Sequence, residues 1–260
     1  MSSSRPELIL PPDLFYNDEE ALKYANNTHI IEIQEKMTER AVELLNLPGG
    51  LVLDIGCGSG LSSEILLQHN FQCIGMDISA GMLKLNDTEC MLADMGNGIS
   101  FRPGSLDGII SISALQWLCT VNGKQSPYKR LELLFNSAYM ALRRGGKAVF
   151  QFYPMNDDQI GMITASALSS GFTGGLLIDY PNSTKAKKYF LCLFAGMTKE
   201  QASRQMPTAQ GAQYSKALRK KRPEISKKEW IKKKKELYIK RGVEVPLDSK
   251  YTERKRNTRF

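Results

Sequence analysis

The segment Asp54-Ile-Gly56-Cys-Gly58-Ser-Gly60 concentrates residue types that a nucleotide-like ligand needs. It follows an apolar run, Leu51-Val-Leu-Asp-Ile55, and opens a helical pattern from Leu61 to His69. In such a strand–turn–helix context the glycines let backbone come close to a ligand. Their spacing, i, i+2 and i+4, is not the GxGxxG of dinucleotide loops, and alone it is a weak signal. It gains weight from two more aspartates. Asp77 ends the apolar run Phe71 to Met76, and Asp94 ends Cys90 to Ala93. A carboxylate at the first position can accept two hydrogen bonds from a ribose diol, and one at the second can accept from an exocyclic adenine amine. Each aspartate by itself also suits a helix cap or an Asx turn. Together, at the carboxyl ends of three strands, they line the crevice where open α/β sheets bind ligands.

The elements needed to hold them there are readable from the apolar rhythm. Strands are expected over Leu51–Ile55, Phe71–Met76, Cys90–Ala93, Leu106–Ser113 and Gly146–Tyr153. Helices are expected over about 61–69, 79–85 and 127–142, and alternation of this kind predicts a doubly wound, mainly parallel α/β sheet. Gly175–Tyr180 and Lys188–Phe194 are separated by only seven residues, which suits an antiparallel pair. Upstream, an extended lead-in ends at Pro11-Pro12, a short helix covers Asp18 to Asn26, and a longer one runs from about Ile30 to Leu45. In the longer helix Ile30, Ile33, Met37, Ala41 and Leu44 form one apolar face. From Met197 onward the periodicity fades, with Glu229 to Ile239 a further helix candidate.

Charge divides the 260 residues unevenly. The net is +8, yet Arg204 to Phe260 carry about +13 and the preceding 203 residues about −5. Three basic clusters, Arg219-Lys220-Lys221-Arg222, Lys232-Lys233-Lys234-Lys235 and Arg254-Lys255-Arg256, point to nucleic acid at one end, although a solvated basic extension is the simpler reading of such runs. Five scattered cysteines without CxxC imply a reducing compartment, and His29 and His69 stand too far from paired cysteines for a zinc site. No apolar run reaches the roughly 18–20 residues of a bilayer span, and the N-terminus lacks the apolar core of a signal peptide, so a soluble intracellular protein is expected.

An acidic residue followed by GxGxG, with the later strand-end aspartates, resembles the class I S-adenosylmethionine-dependent methyltransferases over about residues 48–196. That resemblance implies a Rossmann-like α/β fold: a seven-stranded, mainly parallel sheet with an antiparallel last strand and helices on both faces. It divides the chain into 1–47, N-terminal helices covering the cofactor site, 48–196, the S-adenosyl-L-methionine-binding core, and 197–260, the basic tail. It further implies a cofactor site made of Tyr16, Asp54, Gly56, Cys57, Gly58, Gly60, Asp77, Ile78, Asp94, Met95 and Ser113. Phe15-Tyr16, Ile112-Ser-Ala-Leu-Gln-Trp-Leu118, Asp179-Tyr-Pro-Asn-Ser183, Lys185-Ala-Lys-Lys-Tyr-Phe190 and Tyr251-Thr-Glu-Arg-Lys-Arg256 narrow it. These are similar to the eukaryotic 18S rRNA guanine-N7 methyltransferases, nearly end to end. Between about Gly196 and Arg219 the chain is shorter than that family's pattern.

Guanine N7 carries a lone pair and no proton, so its methylation needs alignment rather than a general base, and none is assigned. The Asn-Pro-Pro-Tyr loop of exocyclic amine methyltransferases and the Pro-Cys nucleophile of cytosine C5 enzymes are both lacking. Gln116 and Trp117, after the fourth strand, and Tyr153-Pro154, after the fifth, are candidates for the guanine pocket; Trp117 is equally readable as a core residue. The resemblance also implies a small zinc-binding activator protein as partner, and the short apolar edge Glu89-Cys-Met-Leu-Ala93 is where a heterodimer is expected to form by strand addition. The other partner is rRNA within the small-subunit pre-ribosome, the expected location the nucleus. Two alternatives stay open: an assembly factor whose binding rather than methylation matters, and a tRNA methyltransferase.

Overall fold

The central apolar runs become strands because they are buried on both faces, the pattern of a parallel sheet covered by helices, whereas the edge run Cys90–Leu92 is exposed. The computed structural model describes residues 5–120, 125–211, 232 and 235. Seven strands, β1 (Gly50–Ile55), β2 (Phe71–Asp77), β3 (Cys90–Leu92), β4 (Leu106–Ile112), β5 (Leu142–Phe152), β6 (Thr173–Asp179) and β7 (Lys188–Phe194), form one sheet in the order β3-β2-β1-β4-β5-β7-β6. β1 to β5 pair in parallel, while β7 runs antiparallel to both β5 and β6. The order reverses between β1 and β4, and the crevice at that switch point opens where β1, β2 and β4 end.

Eight helices belong to the described chain: α1 (Pro12–Phe15), α2 (Asp18–Ala25), α3 (Thr28–Leu45), α4 (Leu61–Gln68), α5 (Ala80–Leu83), α6 (Pro127–Ala141), α7 (Asp157–Ser169) and α8 (Lys199–Gln205). They cover both sheet faces. Leu53, Ile55 and Ile109 join Leu131, Leu134 and Phe135 of α6 in one core, and Val52, Ile110 and Ile112 join Met37, Ala41 and Leu45 of α3 in the other. Adjacent strand residues enter opposite cores, as the two-residue period of a pleated strand requires.

Three segments depart from the sequence reading. The lead-in is not extended throughout: Pro6–Leu8 forms a 3-10 turn and Pro12–Phe15 a helical turn, each begun by a proline whose fixed φ suits a first helical position. α7 was not anticipated, since Gly161, Thr164 and Ser166 dilute its apolar face to Ile163 and Ala167. Residues expected to begin the tail instead form α8, closed by a Thr198–Gln201 capping box.

The chain divides into two compact units, Met1–Ala212 and Gln213–Phe260. In the first, residues beyond α8 are tied back by the Gln210 N–H, which donates to Asp179 at 2.6 Å, and by Arg40, which donates to the Thr208 carbonyl. In the second, Lys232 and Lys235 are both helical, Lys232 exposed and Lys235 half-buried. The remaining basic-cluster residues and the helix expected over Glu229–Ile239 lie outside the described residues.

Candidate functional site

At the carboxyl ends of β1, β2 and β4 lies a cavity of about 420 Å³, within the range typical of small-molecule sites. Gly56, Cys57, Gly58, Asp77, Ile78, Asp94, Met95, Ser113, Gln116, Trp117, Tyr16 and Tyr153 all line it. Three residues singled out from the sequence do not. Asp54 is fully buried behind Ser62, which does line the cavity, while Gly60 caps α4 and Pro154 lies beyond the wall.

The floor is the turn after β1. Gly56 has φ +75°, and a Cβ there would stand 2.4 Å from the Ala114 Cβ, so only glycine lets this turn lie against the end of β4. The Gly58 N–H donates to Asp77 Oδ2 at 2.9 Å and the Ser79 N–H to Asp77 Oδ1 at 2.8 Å. These bonds aim the carboxylate and leave each oxygen a further acceptor position. Burial outweighs them and pushes the Asp77 pKa up from the ordinary carboxylate value.

Asp94 is held differently. Its Oδ1 accepts from the Gly96 N–H at 2.8 Å and from Arg130 Nη2 at 3.1 Å, an ion pair reaching across from α6. This commits part of the carboxylate that the sequence reading offered to an exocyclic amine. The side chain of Gln116 is committed as well: Nε2 donates to the Ser113 carbonyl at 2.6 Å, and Oε1 accepts from the Tyr153 N–H at 3.4 Å. It braces the ends of β4 and β5 instead of projecting a free amide. Ser113, at φ +58°, is a strained turn held by Gln151, whose Oε1 accepts from its N–H and hydroxyl at 3.0 and 2.8 Å.

The roof comes from the N-terminus. The Tyr16 carbonyl accepts from Ser79 Oγ at 2.6 Å, and Gly81 leaves room for that backbone, since a Cβ would lie 2.8 Å from the Tyr16 oxygen. Trp117 is 6% exposed, its ring 5.8 Å from that of Tyr16 and 6.0 Å from that of Phe15. Core residue and guanine-pocket residue were posed as alternatives; the ring is buried, and it lines the cavity. Arg5, Glu7, Tyr24 and Arg130, none of them anticipated, also line the cavity. Arg5 and Arg130 find partners far away in sequence, which no local pattern marks.

The proton chemistry of this wall is quiet. Burial first, then the charges of Asp77, Glu7 and Glu20, raises the Tyr16 phenol to about 12, and burial raises Tyr24 and the Cys57 thiol as well. No histidine lines the cavity among the described residues. Asp54, raised to about 6, is pushed up by burial against the opposing hydroxyls of Ser62 and Ser63, which donate to its Oδ2 at 2.6 and 2.7 Å. Its Oδ1 has no partner among the described residues.

That burial makes Asp54 a liability at high pH. A folded-state pKa above the unfolded one means the native state holds the proton more tightly, so stability falls as pH rises from about 4 to about 6. A rise of that size corresponds to a cost of about 3 kcal/mol above that window. Asp54→Asn is therefore expected to unfold like the parent at pH 4 and to gain about 3 kcal/mol on it by pH 8 in urea titrations. A pH-independent difference would contradict this account.

Residues 53–150 match the family model described as a methyltransferase domain, and residues 193–258 match that described as a methyltransferase involved in Williams-Beuren syndrome. The chain is 48% identical over 281 residues to the 18S rRNA (guanine-N(7))-methyltransferase of Mus musculus, covering 99% of each. It is also 48% identical over 274 residues to the 18S rRNA (guanine(1575)-N(7))-methyltransferase of Saccharomyces cerevisiae, covering 99% of this chain and 100% of that one. Among solved structures, phosphoethanolamine N-methyltransferase 2 of Haemonchus contortus with S-adenosyl-L-methionine shares the fold: TM-score 0.55 at 16% identity, over 75% of this chain and 61% of that one.

Proposed function

From the premise that the chain belongs to the eukaryotic 18S rRNA (guanine-N7)-methyltransferase family, we propose the following division of labour among its residues. The enzyme transfers a methyl group from S-adenosyl-L-methionine to N7 of a guanine in 18S rRNA. The residues present fit that cofactor. The cavity has the volume of a small-molecule site, an aimed, half-buried carboxylate at Asp77, and a second carboxylate at Asp94 beside the Met95 amide. Asp77 would hold the ribose hydroxyls, and Asp94 with Met95 would meet the adenine. Arg130 positions Asp94, and Asp54 acts at one remove by fixing Ser62 and Ser63 at the start of α4. Tyr16, Tyr24 and Trp117 exclude water from above.

When bound, the cofactor supplies an electrophilic methyl carbon on a sulfonium. The chain then needs only to bring a guanine lone pair into line with it, since N7 has no proton to remove. The observation that carries this reading is the cavity's combination of an aimed carboxylate at Asp77 with Tyr16, Tyr24 and a Cys57 thiol that burial raises away from proton transfer at neutral pH. Mapping N7-methylguanine in 18S rRNA by chemical cleavage or mass spectrometry tests it. The modification is expected to vanish on removal of this protein and return when it is resupplied; persistence without it would refute the assignment.

The tail is read as the delivery element. Its lysines and arginines suit phosphate contacts and nuclear import. Deleting residues 219–260 is expected to leave cofactor affinity unchanged. Association with small-subunit precursors should fall, and the salt dependence of what remains should flatten, because each lost lysine–phosphate contact removes its share of counterion release. The same truncation, tagged fluorescently, should lose nuclear enrichment. Unaltered sedimentation with pre-ribosomes would rule the role out.

The partner proposed is a small zinc-binding activator protein added to the open edge of β3. Cys90, Met91 and Leu92 are all exposed there, Leu92 by 63%. No other described strand pairs with β3 beyond β2, and the edge carries no lysine or proline to block strand addition.

A further inference from the structure

Arg5 sits in the cavity wall with its guanidinium spread over three acceptors. Nη1 donates to the Tyr153 carbonyl at 3.0 Å and to Glu7 Oε1 at 3.3 Å, and Nη2 donates to the Pro154 carbonyl at 3.1 Å. Two of those acceptors are main-chain oxygens at the end of β5. The third, Glu7, is 7% exposed, and its ion pair with Arg5 is long. Among the described residues Glu7 makes no other hydrogen bond or ion pair. A buried carboxylate held by one weak partner costs free energy unless another donor arrives.

The group that satisfies these acceptors is a planar N–C–N unit with N–H bonds diverging from one edge. Guanine carries the same unit. Its N1–H and its 2-amino group flank C2, on the side of the purine opposite N7. A guanine whose N7 is aimed at the methyl donor must turn that edge away from the cofactor, toward the far wall. Proteins that take a base out of its stack commonly read this edge by hydrogen bonds while an aromatic ring covers its face, and Trp117 lines the same cavity. Adenine would present a bare N1 acceptor to Glu7 and two carbonyls, leaving buried acceptors unpaired, which is the kind of mismatch a polar pocket rejects strongly.

We propose that Glu7, with the carbonyls of Tyr153 and Pro154, is the specificity element that reads the N1–C2 edge of the target guanine, and that the Arg5 guanidinium occupies its place until the base enters. Glu7 is then a binding group for the substrate, and Arg5 is a competitor that swings out. A simple staple holding the N-terminus to β5 makes the opposite prediction for Arg5. The inference rests on the guanine-N7 reading above.

Small ribosomal subunits purified from cells lacking this enzyme serve as substrate for the full chain, with methyl transfer followed by radiolabel. Glu7→Gln, which replaces an acceptor by a donor of equal size, is expected to raise KM for subunits tenfold or more while KM for S-adenosyl-L-methionine stays within twofold. Arg5→Ala is expected to lower KM for subunits at least twofold. Glu7→Asp, keeping the carboxylate, should restore part of the loss, and melting temperatures of all variants monitor folding. The proposal is overturned if Glu7→Gln matches the parent, if it weakens the cofactor as much as the subunits, or if Arg5→Ala loses activity in step with it. Failure of the parent chain to methylate guanine N7 in these subunits would instead sink the functional reading beneath it.

Discussion

Asp77→Lys is expected to abolish S-adenosyl-L-methionine binding in isothermal titration while leaving the far-ultraviolet circular dichroism of the protein intact. The carboxylate accepts the Gly58 and Ser79 N–H groups and keeps a free acceptor position on each oxygen, which is what a ribose diol requires. Hydrogen bonds to an ionised group are worth about 1.5–3 kcal/mol each, so losing both toward the ribose weakens binding by a factor on the order of 100 to 10,000. Lysine does more, because it reverses the charge and supplies donors only. Asp77→Asn separates the two effects. It keeps one carbonyl acceptor and turns the other oxygen into a donor, so a loss of about 10- to 100-fold is expected. The asparagine also opposes one of the two backbone donors, which will loosen the turn after β1; a thermal melt measures that contribution. Cofactor binding by Asp77→Asn within threefold of the parent would show that ribose recognition lies elsewhere.

The same residue illustrates what a sequence can and cannot carry. Asp77 and Asp94 were legible because each terminates an apolar run, and a strand's carboxyl end is a place defined by the run itself. The whole sheet was legible for that reason, including the antiparallel β6–β7 pair, whose connection is too short for a crossover helix. The lid was not. Arg5 finds its partners 148 and 149 residues away, and Arg130 reaches Asp94 across 36. Such pairs leave no periodic trace, because an isolated arginine reads as an ordinary surface charge and its partner, a main-chain carbonyl or a turn aspartate, carries no mark of it. Gln116 was assigned to the base pocket on residue type, yet its amide is consumed by bracing the backbone of Ser113 and Tyr153. Asp54 was placed against the cofactor, and it lies one layer deeper. Type and spacing locate a crevice; only the packed chain decides which polar groups are still available to face it.

Leu92→Asp is expected to weaken the complex with the small zinc-binding partner proposed above by at least 100-fold, measured by co-purification and by titration of the separate proteins. Burying a leucine of this exposure contributes about 1.5–3 kcal/mol, and an aspartate in its place adds the cost of an unpaired charge at a desolvated edge. The consequence should reach the cofactor. Leu92 is in register with Asp77 of β2, and two residues further along stands Asp94. β3 is three residues long and supported from one side, so a partner strand on its other side would fix the segment that carries Asp94 and Met95. Cofactor affinity should therefore rise when the partner is added to the parent chain and fail to rise for Leu92→Asp, while the two chains alone bind equally. That equality matters, since it separates a lost partner from a damaged site. If the isolated parent already binds the cofactor at full affinity, the edge is not coupled to the cavity, and the role proposed for the partner falls with it.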